Sequence, residues 1–469
     1  MLSDHERKNI IQNTLAALKG QKLKKVSVRI SGVQTTIDKL RANHIAILTG
    51  KAGAGKTTTV YQVMCEMSNP SLSSTYTPVL IKSPEQWDKV INPTHQYLVY
   101  LDDVFGSSNL DPGAIQKWKN QLDIIFSSAK TGKIYVLIGL RRNVLNEAKM
   151  HVIHEILDEE NIVDLSLEEN LTKQDKSKII EAYECNCNFK ASELCGERFA
   201  YYSEKNGLNA IYKLSLKEKE KIHFTDSYYG FPLTCFQFFT RPDFFQLGPS
   251  YFQRPDKNIF KAIETMRQGK CGNISDKVKY SVLCYTFING SVETNIVSET
   301  LLKTISGKLH IFNITEVDLK DAINDLNGIF LSKSSTEHFY KFSHETILEA
   351  VMVSFGQLAP DIVINHCSRR KLHELIRTEN YEPKPCEVIL KIPRRHYEDL
   401  AQRLLRGDDG DGKEIDIIPF VAIDILLHSG CQDPEFVSIL CNWEMTERLF
   451  SLFHYLLFTN RDLIFHLLQ

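Results

Sequence analysis

Up to Leu167 the chain alternates short apolar runs with longer stretches whose apolar residues recur at helical spacing. The apolar runs are His44–Thr49, Thr77–Lys82, Gln96–Asp103, Lys133–Gly139 and Ile162–Leu167. Segments this short, apolar throughout rather than every second residue, predict strands buried on both faces. Thr57–Met64, Pro112–Ser128 and Asn143–Glu160 predict helices between them, and Ser83-Pro-Glu-Gln-Trp87 starts another with proline at the first helical position. Regular alternation of the two predicts a five-stranded parallel sheet covered by helices, an α/β domain. Residues 3–43, ahead of it, read as helices with a basic interruption.

Beyond Leu167 the strand pattern stops. Leu171–Tyr183 predicts a helix, and the segment to Phe239 is helical or irregular. Within Lys277–Gly356, helices including Thr315–Asn327 precede two apolar runs, Gly328–Lys333 and Glu337–Phe342, which predict a hairpin turning at Ser334-Ser-Thr336. A helix over His344–Phe355 follows, and helices then hairpin is the order of a winged helix. The remainder predicts helices around a polar loop, Arg406–Gly412. The expected organisation is an N-terminal helical segment (1–38), an α/β nucleotide domain (39–168), a helical lid (169–255), a winged-helix domain (256–356) and a mostly helical C-terminal region (357–469). Ser451–Gln469 is apolar and aromatic, which points to a partner surface or a truncated product.

Composition narrows the class. A length of 469 residues accommodates about three domains. A net charge of −2 gives no reason to expect nucleic acid as a partner, and no run is long and apolar enough to predict a membrane span. The 11 cysteines are scattered; Cys185-Asn-Cys187 with Cys195 lacks the paired Cys-x-x-Cys spacing of a zinc site. Reduced thiols and a start too charged for a secretory signal predict a cytoplasmic protein.

The chemistry concentrates after the first strand. Gly50-Lys-Ala-Gly-Ala-Gly-Lys-Thr57 lies between a predicted strand and a predicted helix, the context that a phosphate-binding loop requires. Successive N–H groups of Gly50, Lys51, Ala52, Gly53, Ala54 and Gly55 would face the phosphates, with Thr58 in the first helical turn. Lys56 would reach the β- and γ-phosphates and Thr57 would place its hydroxyl on Mg²⁺. Asp102, at the end of the third strand, is the second expected Mg²⁺ ligand, and Asp103 beside it the group to polarise an attacking water. The next strand ends at Arg141-Arg142, where either arginine would distinguish a triphosphate from a diphosphate.

A guanine-specific reading competes with ATP. Asp103-Val-Phe-Gly106 fits Asp-x-x-Gly, and Thr172-Lys-Gln-Asp175 fits the Thr-Lys-x-Asp string of guanine readers. The second string is also an ordinary helix-capping box, several residues beyond the last strand, which favours ATP.

Together these residues resemble the STAND class of P-loop NTPases, switch ATPases of immune and death signalling, and most closely the novel STAND NTPase 3 family. The resemblance is carried by Ile47–Thr57, Leu101-Asp-Asp-Val-Phe-Gly106, Gly230-Phe-Pro232 and Phe342-Ser-His-Glu-Thr-Ile-Leu-Glu349. It implies that Pro232 packs on adenine and that His344 meets the β-phosphate of bound ADP. It further implies slow ATP hydrolysis, homo-oligomerisation on activation and a protein effector. The serine and threonine that often precede the sensor arginine are Gly139-Leu140 here. No death-fold, TIR or caspase-recruitment domain is recognisable before Lys39, nor a ligand-sensing repeat array after Gly356. A motor-type or chaperone ATPase is the alternative reading, and a scaffold with a degenerate site is disfavoured by the intact loop and acids.

Overall fold

The apolar runs form the central sheet because each has too little polar surface to face water on either side. The computed structural model describes residues 4–22, 26–69, 76–92, 94–194, 197–207, 209–269, 274–293, 298–311, 314–333, 339–367, 369–383, 389–405 and 433–440. In chain order the first elements are α1 (Asp4–Lys22), α2 (Ser31–Asn43), β1 (Ile45–Thr49), α3 (Lys56–Met67), β2 (Thr77–Ile81), α4 (Pro84–Val90) and β3 (Tyr97–Asp102). There follow α5 (Pro112–Lys130), β4 (Ile134–Gly139), α6 (Arg142–His151) and β5 (Ile162–Asp164). All five residues of β1 are buried, and in β3 only Asp102 is exposed.

The sheet order is β2-β3-β4-β1-β5, parallel throughout. β4 thus lies between the strand that leads into the glycine loop and the strand that ends in the acids. Leu48 and Asp102 both pair with Gly139, so the three strands finish at one edge. In open parallel sheets that carboxyl edge is where ligands bind. On the outer side, the edge strand β2 is covered by α1: Thr14 Oγ1 accepts from the Leu80 amide at 2.9 Å. Pro78 removes another amide from the same edge, so the strand is protected against pairing with another chain.

The helices that follow are α7 (Lys173–Asn186), α8 (Glu197–Asn206), α9 (Leu216–Phe224), α10 (Phe231–Thr240), α11 (Pro242–Gln246) and α12 (Pro255–Gln268). α10 is anchored from behind by an aromatic cluster: the buried Phe238 ring lies 4.9 Å from Phe245 and 5.1 Å from Phe239, centroid to centroid. Residues 1–107, 117–262 and 327–336 form one compact unit, so these helices to residue 262 pack with the α/β domain.

The second unit comprises residues 108–116, 263–326 and 337–469. Its elements begin with α13 (Ile274–Asn289), β6 (Val292–Glu293), α14 (Glu299–Lys308) and α15 (Glu316–Leu326). β7 (Leu331–Lys333) belongs to the first unit, and β8 (Phe339–Phe342) to the second, where it pairs antiparallel with β6. Then come α16 (Glu345–Leu358), α17 (Pro360–His366), α18 (Arg369–Leu375), β9 (Ile376–Thr378), β10 (Leu390–Ile392), α19 (Tyr397–Leu405) and α20 (Pro434–Leu440). Within this unit Ser108 Oγ donates to the buried Glu349, and Asn109 Nδ2 donates to the Glu374 carbonyl at 2.6 Å.

Several expectations need correction. The helix expected to run to Glu160 ends at His151, where the β-branched pair Val152-Ile153 follows and Val152 turns extended. Two short 3₁₀ turns replace its last part, the first capped by His154 Nδ1 accepting from the Ile156 amide at 3.0 Å. The parallel pair β9–β10 interrupts a region expected to be helical; three-residue strands are too short for their periodicity to be seen. The hairpin turn at 334–336, Cys195, the polar loop 406–412 and the apolar segment 451–469 lie outside the described residues.

Candidate nucleotide site

β1 delivers the chain into a loop whose backbone only glycine adopts comfortably. Gly53 sits at φ +78°, and a Cβ there would stand 2.3 Å from the Leu233 Cβ. Gly55, also in the left-handed region, occupies the cap position of α3, and no side chain bonds that helix terminus. Its first-turn N–H groups, at Thr57 and Thr58 among others, are therefore oriented for an anion, with the helix dipole behind them. A glycine cradle closed by an uncapped helix fits a nucleotide phosphate chain.

Lys56 is half-exposed overall, but its ammonium lies inside the loop, 3.5 Å from the carbonyl oxygens of Gly50 and Lys51. Burial, with Arg141 adding to it and Asp103, Asp102 and Asp164 opposing it, pushes its pKa down to about 8. A cation held short of full solvation is one that an incoming phosphate stabilises.

β3 supplies the acids. Asp102 is exposed at the strand end, and Asp103 turns into the left-handed region at φ +48° while its amide donates to the Gly139 carbonyl at 3.0 Å. Tyr100, buried two residues earlier, donates its hydroxyl to Asp102 Oδ1. Among the described residues no cluster of three or more His, Cys, Asp or Glu suited to a metal occurs. Two protein ligands fit Mg²⁺, which takes most of its ligands from water and phosphate.

The structure separates the two arginines. Arg142 is half-exposed and pairs with Asp164 Oδ2 at 3.0 Å. Arg141, 9% exposed, stands at the residue before α6 and lies near enough to Lys56 to disfavour its charge. Asp164 was not among the expected site residues; its signal was an acid ending the last strand, as Asp102 ends the third.

The segment from Asp226 to Leu233 meets the loop directly. The Gly230 amide donates to the Ala52 carbonyl at 2.8 Å and the Leu233 amide to that of Gly53 at 3.2 Å. Lys51 Nζ donates to the Ser227 carbonyl at 2.7 Å and forms an ion pair with Asp226. A Cβ on Gly230 would stand 2.2 Å from the Ala54 nitrogen, so only glycine permits this approach. Pro232, in the first turn of α10, has its Cγ 3.6 Å from where a Gly55 Cβ would be.

The guanine-reading string is occupied locally. Thr172 caps α7, and Asp175 Oδ2 accepts from the amide and hydroxyl of both Thr172 and Ser31, at 2.7 to 3.0 Å. A carboxylate buried in four such bonds is committed to fixing α7 against α2. His344, in the second unit, likewise has a local role: its Nδ1 accepts from the Thr346 amide at 3.2 Å, capping α16.

A glycine loop between a parallel strand and a helix, faced by a strand-end acid, defines a P-loop NTPase domain. Residues 28–184 match the family model described as Novel STAND NTPase 3. No curated protein matches the chain. Among solved structures it is similar to the crystal structure of Cdc6p from Pyrobaculum aerophilum, at 12% identity over 69% of this chain and 94% of that one. The TM-score of 0.27 is too low to argue from. No helix among the described residues is long and apolar enough to cross a membrane.

Proposed function

We propose that this protein is an ATP/ADP-binding switch with slow hydrolysis, whose nucleotide state controls homo-oligomerisation and contact with a protein effector in signalling. The observation that carries the reading is the docking of Gly230–Leu233 onto the carbonyls of the phosphate loop. A loop tied to its lid by backbone hydrogen bonds releases nucleotide only when the lid moves. Exchange then becomes a conformational event, as a switch requires and a fast-cycling motor does not.

In this reading Lys56 neutralises the β- and γ-phosphates, Thr57 and Asp102 hold Mg²⁺, and Asp103 polarises water. The metal supplies neutralisation of the developing phosphate charge. Arg141, buried on the Lys56 side, is the better placed of the two arginines to report the γ-phosphate. Pro232 bounds the base side of the pocket next to Gly55. The β-phosphate role of His344 and the immune setting rest on the family resemblance. Commitment of Asp175 to the α7 cap supports adenine over guanine.

The test is to release and identify the nucleotide that copurifies with the full chain. Tightly held ADP, lost in Lys56→Ala, is expected. Guanine nucleotide, or an empty site with brisk ATP turnover, would overturn the reading.

A further inference from the structure

Gly139 and Tyr100 compete for one space. Asp102 pairs in register with Gly139 across β3 and β4. A Cβ built on Gly139 would lie 2.8 Å from Tyr100 Oη, 3.2 Å from its Cε2 and 3.3 Å from Asp102 Oδ1. Gly139 does not occupy the left-handed region, so room rather than backbone conformation calls for glycine. Tyr100 and Asp102, two residues apart on one strand, point to the same face. The phenol hydroxyl is therefore brought to the strand end, where Asp102 accepts from it.

A phenylalanine at 100 would fill the same core without burying a hydroxyl that must be paired. What the hydroxyl adds is restraint on a group that flanks the metal position. We infer that Tyr100 is a positioning residue for the Mg²⁺ site, admitted by Gly139, and that it holds the Asp102 carboxylate ready for the ion. Ligand carboxylates held by an outer hydrogen bond bind metal more tightly because less rotational freedom is lost on binding. The inference rests on the nucleotide-binding reading above.

The test titrates ADP into the full chain in excess EDTA, then titrates Mg²⁺ into the ADP complex, without any turnover measurement. Tyr100→Phe is expected to raise the Mg²⁺ concentration for half-saturation by about 10- to 100-fold while leaving ADP affinity in EDTA unchanged. Gly139→Ala, which pushes the hydroxyl aside, is expected to reproduce that defect. The double variant should be no worse than either single one, because both remove the same interaction. Wild-type Mg²⁺ dependence in Tyr100→Phe, or an equal loss with and without Mg²⁺, would overturn the inference. Lys56→Ala separates the two levels: it should abolish binding in both arms. A wild-type chain that binds no ADP sinks the nucleotide reading and this inference together, whereas normal wild-type binding beside an unaltered Tyr100→Phe sinks the inference alone.

Discussion

The amide of Gly230 donates to the carbonyl of Ala52 at 2.8 Å, joining the start of α10 to the glycine loop through main chain alone. Side-chain variation cannot remove this bond, but a side chain at 230 can, since its Cβ would stand 2.2 Å from the Ala54 nitrogen. Gly230→Ala is expected to separate the two elements at a cost of about 1–3 kcal/mol in stability. Thermal unfolding measures the cost, and a stopped-flow chase should give faster ADP release. Release at the wild-type rate would mean that this contact does not limit exchange.

The arginines should part ways. The Arg142–Asp164 pair is half-exposed on the arginine side, so Arg142→Ala should change stability by about 1 kcal/mol or less. Arg141→Ala should reduce the preference between ATP and ADP, read as the ratio of their affinities by titration. Equal effects of the two substitutions would remove the distinction drawn from burial.

Asp175 makes a pH-dependent contribution with a definite sign. Desolvation raises its pKa, but the bonds from Ser31 and Thr172 outweigh it, and the folded-state value lies below the ordinary 3.8. The stabilisation is therefore complete above about pH 4 and is lost as pH falls through the folded value. Asp175→Ala should cost about 1–3 kcal/mol at neutral pH and flatten the acid limb of the stability profile. Nucleotide preference should not change; altered guanine binding would revive the GTPase alternative.

His344 caps α16, so His344→Ala should cost about 1 kcal/mol by chemical denaturation. The family resemblance adds a second expectation, faster ADP release, whereas His344→Asn keeps a capping side chain and separates the two. If both variants release ADP like the wild type, the residue is a cap alone.

Much of the nucleotide domain was legible in the sequence because its signals are local. Apolar runs of strand length, glycines at fixed spacing and an acid at a strand end each report on a few neighbouring residues. The short strands β6, β9 and β10 gave no such signal, since two or three residues carry no measurable period. The early end of α6 was readable in Val152-Ile153 but was outweighed by the apolar spacing around it.

By itself the sequence determined the sheet, the phosphate loop and the Asp102 position, because hydrophobic patterning and glycine stereochemistry act within short stretches of chain. Only the tertiary structure decided which of two adjacent arginines is buried beside Lys56 and that Asp175 is spent on Ser31 and Thr172. It also showed that Gly230 closes on Ala52 and that Gly139 makes room for the Tyr100 hydroxyl. Each of these depends on side chains or backbones brought into contact by the folding of distant segments, where burial and hydrogen-bond competition, rather than spacing, set the outcome.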